Sequence, residues 1–113
     1  MKVYNLIALT NPISGQDDAF NAWYDDVHIG DVFKLPGVVG AQRFRLSDSQ
    51  FREGKMDWKY MAVYEIESDD IQTTFEALRA ASGTDAMPLF DALSPDRVVW
   101  IYEPILSRRA TDR

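Results

Sequence analysis

Hydrophobic positions in the first third of the chain change their spacing once. Residues 3–10 form a short, mostly apolar run with β-branched side chains that stops at Asn11-Pro12, which predicts a buried strand. After a turn segment, a three-and-four spacing typical of one helix face begins. Ser14 and Asp17 resemble a capping box, so this helix is predicted to begin near residue 15 or 16. The positions on its apolar face are Phe20, Trp23, Tyr24, Val27, His28 and Asp31.

The remaining elements follow the same logic. Pro36-Gly37 ends the helix, residues 38–46 read as a second strand, and the polar segment 47–57 is a loop. Residues 58–67 alternate with the period of a strand, and Ser68-Asp69-Asp70 caps a second helix ending near residues 81–83. Residues 85–93 are predicted to hold a short helical turn interrupted by a proline, and 97–106 form the last strand.

The order of these elements is β-α-β-β-α-β, which is the ferredoxin-like α+β fold. Crossover handedness makes it one antiparallel sheet with both helices on one face. We expect a single domain over residues 1–106, followed by a polar C-terminal tail over 107–113.

The alternation in the later strands predicts an aromatic sheet face. If the third strand turns Trp58, Tyr60, Tyr64 and Ile66 away from the helices, they join Trp100 and Tyr102 of the last strand on that face. An apolar surface of this size usually marks an interface or a ligand site. We therefore expect two copies to pack these faces together as a homodimer, in which curved sheets would enclose a lumen.

The composition of the chain limits which classes of binding partner and which kinds of chemistry are expected. The 113 residues carry a formal charge of −6 with a sequence pI of about 4.6, which argues against nucleic acid and anionic membranes because both need a basic surface. There are no cysteines, so disulfides and thiolate chemistry are excluded. No apolar run has the length of a membrane span, and the apolar N-terminal run is too short for a signal peptide. We expect a soluble, cytoplasmic protein.

His28 is the only histidine in the chain and the main candidate for proton chemistry near neutral pH. Tyr24 lies one helical turn before it, where it could bond a ligand or orient the imidazole. Asp31 lies three residues after it and could fix its tautomer. The alternatives are a histidine packed at a helix end, a tyrosine that belongs to the core, and a solvated aspartate.

Other candidates lie on the predicted strands. Arg43 could point into the lumen and hold a carboxylate or enolate oxygen, or could be a rim arginine paired with an acid such as Glu65. Asn5 could be a polar group inside the lumen. An aromatic set could line a pocket for a flat ligand or form a packed dimer core; it comprises Tyr60, Tyr64, Trp100 and Tyr102.

Several familiar chemistries have no counterpart in the sequence. One histidine, no cysteine and scattered acids do not supply the clustered ligands of a transition-metal site. The six glycines form no phosphate-binding loop, and the serine-hydrolase elbow is missing. We therefore expect neither a metal nor an organic cofactor.

One segment resembles a known family. The first strand, then Phe20, Trp23, Tyr24 and His28, then Leu35-Pro36-Gly37, are similar to the EthD-like branch of the dimeric α+β barrel superfamily over about residues 3–46. The resemblance implies a homodimer whose sheets form a barrel, and a catalytic histidine at the position of His28. Because there is no second histidine, haem ligation of the haem-degrading type is not expected.

The activities in that superfamily are diverse. It includes cofactor-independent isomerases, cyclases and dehydratases of lactones and polyketides, together with monooxygenases and proteins without assigned activity. We expect His28 to transfer a proton on a lactone, polyketide-like or aromatic carbonyl compound, with Arg43 or Asn5 steadying the oxyanion. Three alternatives stay open: a ligand-binding or stress-associated protein without catalysis, a cofactor-independent monooxygenase, and a structural dimer with a filled lumen.

Overall fold

Four strands form one antiparallel sheet in the order β2-β3-β1-β4. The computed structural model describes residues 1–112, so Arg113 of the predicted tail lies outside the described residues. The strands are β1 (Lys2–Pro12), β2 (Val38–Arg45), β3 (Tyr60–Ser68) and β4 (Leu93–Tyr102). β1 pairs with both β3 and β4, and β3 pairs with both β1 and β2, so β1 and β3 are the two central strands of the sheet.

Two helical segments connect the strands. Between β1 and β2 the chain runs through α1 (Asp17–Trp23), a π-helical turn (Tyr24–His28) and α2 (Ile29–Val32). Between β3 and β4 it forms α3 (Ile71–Ala81), and a 3₁₀ turn, Ala110–Asp112, follows β4. The predicted ferredoxin-like α+β fold is thereby confirmed.

The helix caps were predicted with mixed success. Asp70 caps α3, since its carboxylate accepts a hydrogen bond from the backbone N–H of Gln72 at 3.1 Å. The predicted capping box of the first helix is wrong: Gln16 is its N-cap residue, and no side chain bonds there. The predicted helical turn at 85–93 is absent as well. β4 instead begins at Leu93, where that strand pairs with Pro12.

The sheet faces require a correction. Tyr60, Tyr64 and Ile66 are buried on the helix side of the sheet, not on the opposite face. Alternation shows which residues share a face, but not which face meets the helices. The other face of β3 carries Met61 and Val63 together with the exposed Glu65 and Glu67, and these two charges mark it as the face away from the helices. The placement of Trp100 and Tyr102 on the open face is correct, and both are about 60% exposed.

Leu35-Pro36-Gly37 fixes the exit of the first helical segment. The Leu35 side chain is buried, and the Pro36 carbonyl accepts a hydrogen bond of 2.6 Å from the Thr74 hydroxyl of α3. Gly37 has a φ of +83°, and a Cβ there would lie 2.7 Å from the Glu67 carbonyl oxygen. Only glycine fits such an approach. The motif thus joins the first helical segment to both α3 and β3.

Within residues 1–112, every helix is too short or too polar to cross a membrane. The predicted cytoplasmic location stays a prediction.

Candidate functional site

A cavity of about 300 Å³ lies between the helix-side face of the sheet and the helices. The volume is at the lower end of the range of small-molecule sites. Its floor is formed by side chains of β1 and β3, among them Leu6, Ala8, Thr10 and Tyr64. Its walls come from the first helical segment, from α3 and from β4. Most of the lining is apolar, which favours a ligand with an apolar body.

The π-helical turn places three rings together on the cavity wall. In a regular α-helix, residues five apart point about 140° away from each other. The wider turn instead allows His28 to stack on Trp23, with ring centroids 4.7 Å apart and planes at 26°. The Tyr24 ring meets His28 edge-on at 4.9 Å. Such turns are frequent at functional sites, and this one positions the only imidazole of the chain.

Burial lowers the pKa of His28 to about 4, because the apolar surroundings disfavour the charged imidazolium. The carboxylate of Asp31 opposes this shift, while the nearby positive charges of Arg97 and Arg43 add to it. The imidazole is therefore neutral at pH 7. Its Nδ1 atom is buried and has no hydrogen-bond partner among residues 1–112.

Asp31 does not fix the tautomer of His28 through a hydrogen bond. Its Oδ2 atom is buried and without a partner, and its Oδ1 atom lies 3.8 Å from the Lys34 ammonium. A buried polar atom that lacks a partner costs about 1–3 kcal/mol. Of the two residues, only His28 lines the cavity, so the Asp31 carboxylate acts on the site through its charge rather than as a ligand contact.

Tyr24 and Tyr64 form a pair of hydroxyls at the cavity. The Tyr64 hydroxyl donates to the Tyr24 oxygen at 3.3 Å. Burial raises the pKa of both phenols, so both stay protonated at neutral pH. Because the Tyr24 oxygen accepts a hydrogen bond from Tyr64, the hydroxyl hydrogen of Tyr24 can donate to another group.

Arg43 lies outside this cavity. It faces the helices, where its guanidinium donates to Asp25 at 2.6 Å and to Asn21 at 2.8 Å. It also sits 4.3 Å from the centroid of the Tyr24 ring. The structure therefore uses Arg43 to join β2 to the first helical segment, and gives it neither the expected lumen nor the Glu65 partner.

The other predicted ligand-binding residues divide between two places. Tyr64 lines the cavity, whereas the Tyr60 hydroxyl is taken up by a hydrogen bond to Asp17 and one from Asn21. Asn5 pairs with Tyr102 in the β1–β4 register. These two residues and Trp100 lie on the open face of the sheet, so the structure does not bring them to the cavity.

Among the lining residues, Tyr24, His28 and Tyr64 were predicted as site residues, and those not predicted include Trp23, Thr10, Arg79 and Arg97. Trp23 was counted only with the apolar helix face, because the π-helical turn that stacks its ring on His28 has no signal in the sequence. Thr10 was read as the end of a strand. Arg79 lines the cavity from α3, and Arg97 lines it from β4. Arg79 follows an ordinary helical pattern and Arg97 stands at the predicted start of the last strand, so neither position indicated a site.

Among residues 1–112, no three or more metal-ligating side chains cluster together. The polar groups at the cavity are hydroxyls, guanidinium groups and one imidazole, which suit an organic ligand with oxygen atoms.

The chain is a ferredoxin-like α+β domain with a cavity between its sheet and its helices. Three solved structures share this fold. An EthD family protein from Bacillus halodurans C-125 is 25% identical with a TM-score of 0.61, over 93% of this chain and 100% of that chain. The resemblance to the EthD-like branch is thereby confirmed.

The other two structures show the fold alone. A candidate monooxygenase from Shewanella loihica PV-4 is 17% identical with a TM-score of 0.61, over 94% of this chain and 97% of that chain. HapK from Hahella chejuensis is 19% identical with a TM-score of 0.50, over 97% and 98%. No protein-family model and no curated protein matches the chain.

Proposed function

We propose that this chain is a small-molecule enzyme that works without a cofactor, and that His28 moves a proton on a carbonyl compound held in the cavity. The reaction class is an isomerisation, cyclisation or dehydration of a lactone, a polyketide-like compound or an aromatic ketone. The EthD family neighbour supports the fold class, and the proton chemistry rests on the site itself.

The observation that carries the proposal is the state of His28. It is the only imidazole in the chain, it lines the cavity, and its buried Nδ1 atom has no partner. A neutral imidazole carries one protonated nitrogen and one nitrogen with a free lone pair. His28 can therefore act at pH 7 as a proton acceptor, although its lowered pKa makes it a weak base.

Tyr24 supplies the complementary group. When a base removes a proton from the carbon next to a carbonyl, the C–H electron pair moves to the carbonyl oxygen and forms an enolate. The free hydroxyl hydrogen of Tyr24 can donate to this oxygen, and the Tyr64 hydroxyl that donates to Tyr24 strengthens the donor. Return of the proton from His28 to another carbon completes an isomerisation without any co-reactant.

The test uses 2-tetralone and α-angelica lactone, a bicyclic ketone and a small lactone that both bear acidic C–H bonds. Each is incubated with the protein in D₂O, and deuterium incorporation beside the carbonyl is followed by NMR. We expect the protein to accelerate deuterium exchange in at least one compound. In His28→Gln, this rate acceleration should be at least tenfold smaller. Gln42→Ala, on the open face of the sheet, is the matched control and should exchange like the unmodified chain.

Equal exchange by His28→Gln and the unmodified chain would contradict the role of His28. Exchange no faster than in buffer, with both compounds bound, would instead favour a ligand-binding protein without catalysis. Consumption of dissolved O₂ with an electron-rich substrate such as 2-naphthol would favour the monooxygenase alternative, which the name of the Shewanella loihica neighbour suggests.

A further inference from the structure

The charged side chains at the cavity all have one sign. The chain as a whole is acidic, with 18 acidic and 12 basic residues. The cavity lining nevertheless contains Arg79, Arg97 and the neutral His28, and it contains no aspartate or glutamate. The lining therefore carries two positive charges that no carboxylate of the lining balances.

Arg97 reaches the cavity from β4. It pairs in register with Thr10, whose side chain is buried on the helix side of the sheet, so both residues share the cavity face. Its charge is close enough to His28 and Tyr24 to influence the ionisation of both. Among residues 1–112, no hydrogen bond or ion pair occupies its guanidinium, unlike that of Arg43.

Arg79 reaches the cavity from the last turn of α3. Its guanidinium lies 6.0 Å from the centroid of the Phe75 ring, and no carboxylate within the described part of the chain forms an ion pair with it. A guanidinium has five N–H donors in a planar fork that matches a carboxylate. Both arginines thus offer unused donors to an anion at the cavity.

We propose that the cavity is selective for a small organic monoanion, an apolar ring system that bears one carboxylate, with Arg97 and Arg79 receiving the carboxylate. The ring lies against the apolar and aromatic lining near Trp23 and Tyr64. Charge-assisted bonds of this kind are about twice as strong as neutral ones. This inference rests on the proposed function only in that both place the ligand in the same cavity.

The test compares two ligands of the same shape, 2-naphthoate and the neutral 2-naphthamide, by isothermal titration calorimetry at pH 7. We expect 2-naphthoate to bind at least tenfold more tightly. Arg97→Gln should lower its affinity at least tenfold, Arg79→Gln at least threefold, and neither should change 2-naphthamide binding. Arg52→Gln, which removes an exposed arginine of the loop 47–57, is the control of equal charge change and should leave both affinities unchanged.

Equal binding of the two ligands, or an equal loss of both in Arg97→Gln, would overturn the selectivity. If 2-tetralone exchange still depends on His28 in that case, the proposed function stands and only the carboxylate inference fails. If neither naphthalene compound binds and 2-tetralone does not exchange, both proposals fail.

Discussion

Burial sets the charge of His28, and this charge decides what the residue can do. Solvent-exposed imidazoles titrate near pH 6.5, so a catalytic histidine at neutral pH is often a mixture of the neutral imidazole and the protonated imidazolium. His28 has a single form at pH 7 because the apolar wall and two nearby arginines disfavour the imidazolium. The residue is a proton acceptor in the resting protein, and an anionic ligand nearby would increase its basicity.

The lowered pKa of His28 predicts a pH dependence of stability. Between about pH 6.5 and about pH 4 the unfolded chain binds a proton that the folded chain does not, so the free energy of unfolding rises with pH in this window. The contribution is complete above about pH 6.5 and is lost as the pH falls toward 4. Urea unfolding at pH 7.5 and at pH 4.5 measures the free energy of unfolding. Between these pH values it should fall by about 2–3 kcal/mol more in the unmodified chain than in His28→Gln. Equal drops would show that His28 titrates normally.

Replacing Arg43 should change the stability of the fold rather than the affinity for a ligand. Arg43→Gln removes the bonds to Asp25 and Asn21 and should lower the free energy of unfolding by about 1–2 kcal/mol, since the Asp25 side chain is largely exposed. Affinity for 2-naphthoate should stay within threefold. Arg45→Gln, two residues along the same strand, should change neither quantity. A tenfold loss of affinity in Arg43→Gln with unchanged stability would return Arg43 to the site.

At the scale of elements, the connection between the first helical segment and β2 holds the cavity in shape. Leu35 lines the cavity, Pro36 is bonded to α3, and Gly37 lies against the backbone of β3. A small displacement at this point would move both the helix that carries His28 and the strand that carries Tyr64.

Gly37→Ala should lower the free energy of unfolding by about 3 kcal/mol, because a side chain there meets both an unfavourable φ and the Glu67 carbonyl. Gly15→Ala is the matched control: its φ is +80°, yet nothing lies within 4 Å of the added Cβ. It should cost only the backbone term, about 1 kcal/mol. Thermal and urea unfolding measure both variants, and equal costs would mean that the contact with Glu67 relaxes freely.

The sequence predicted the secondary-structure elements better than it predicted how they face and pair with one another. Element order and the cap at Asp70 could be predicted because local spacing and local hydrogen bonds determine them. The face of Tyr60 and Tyr64 was assigned wrongly, although Glu65 and Glu67 on the other face of β3 indicated which side meets solvent. The position of Arg97 at the cavity could not be predicted, because it depends on the register between β4 and β1, which pairs residues far apart in the chain.

At the scale of the whole molecule, the helices leave the open face of the sheet uncovered, and this face carries apolar side chains. Its members belong to all four strands: Ile7, Leu9, Phe44, Met61, Val63, Val98 and Trp100. The helices bury the other face only. A flat apolar surface of this kind favours association, and we propose that a second copy of the chain covers it.

The proposed homodimer should have twice the 12.9 kDa mass of the chain in size-exclusion chromatography with light scattering. Trp100→Glu places a charge among the apolar residues of the open face, on the edge strand β4, and should shift the protein to monomer. Phe51→Glu makes the same chemical change in the exposed loop 47–57 and should leave the mass unchanged. A monomeric unmodified chain at 100 µM would rule out this assembly.

The stack of rings on the cavity wall also has an optical consequence. Trp23 is sandwiched between His28, at 4.7 Å, and Phe90, at 5.9 Å. An imidazolium quenches indole emission far more than a neutral imidazole, so the fluorescence of this tryptophan should follow the proton on His28. With Trp58 and Trp100 replaced by phenylalanine, the protein would carry a built-in reporter that emits from inside its own site. Proton arrival and ligand arrival could then be timed in a stopped-flow instrument without any attached dye.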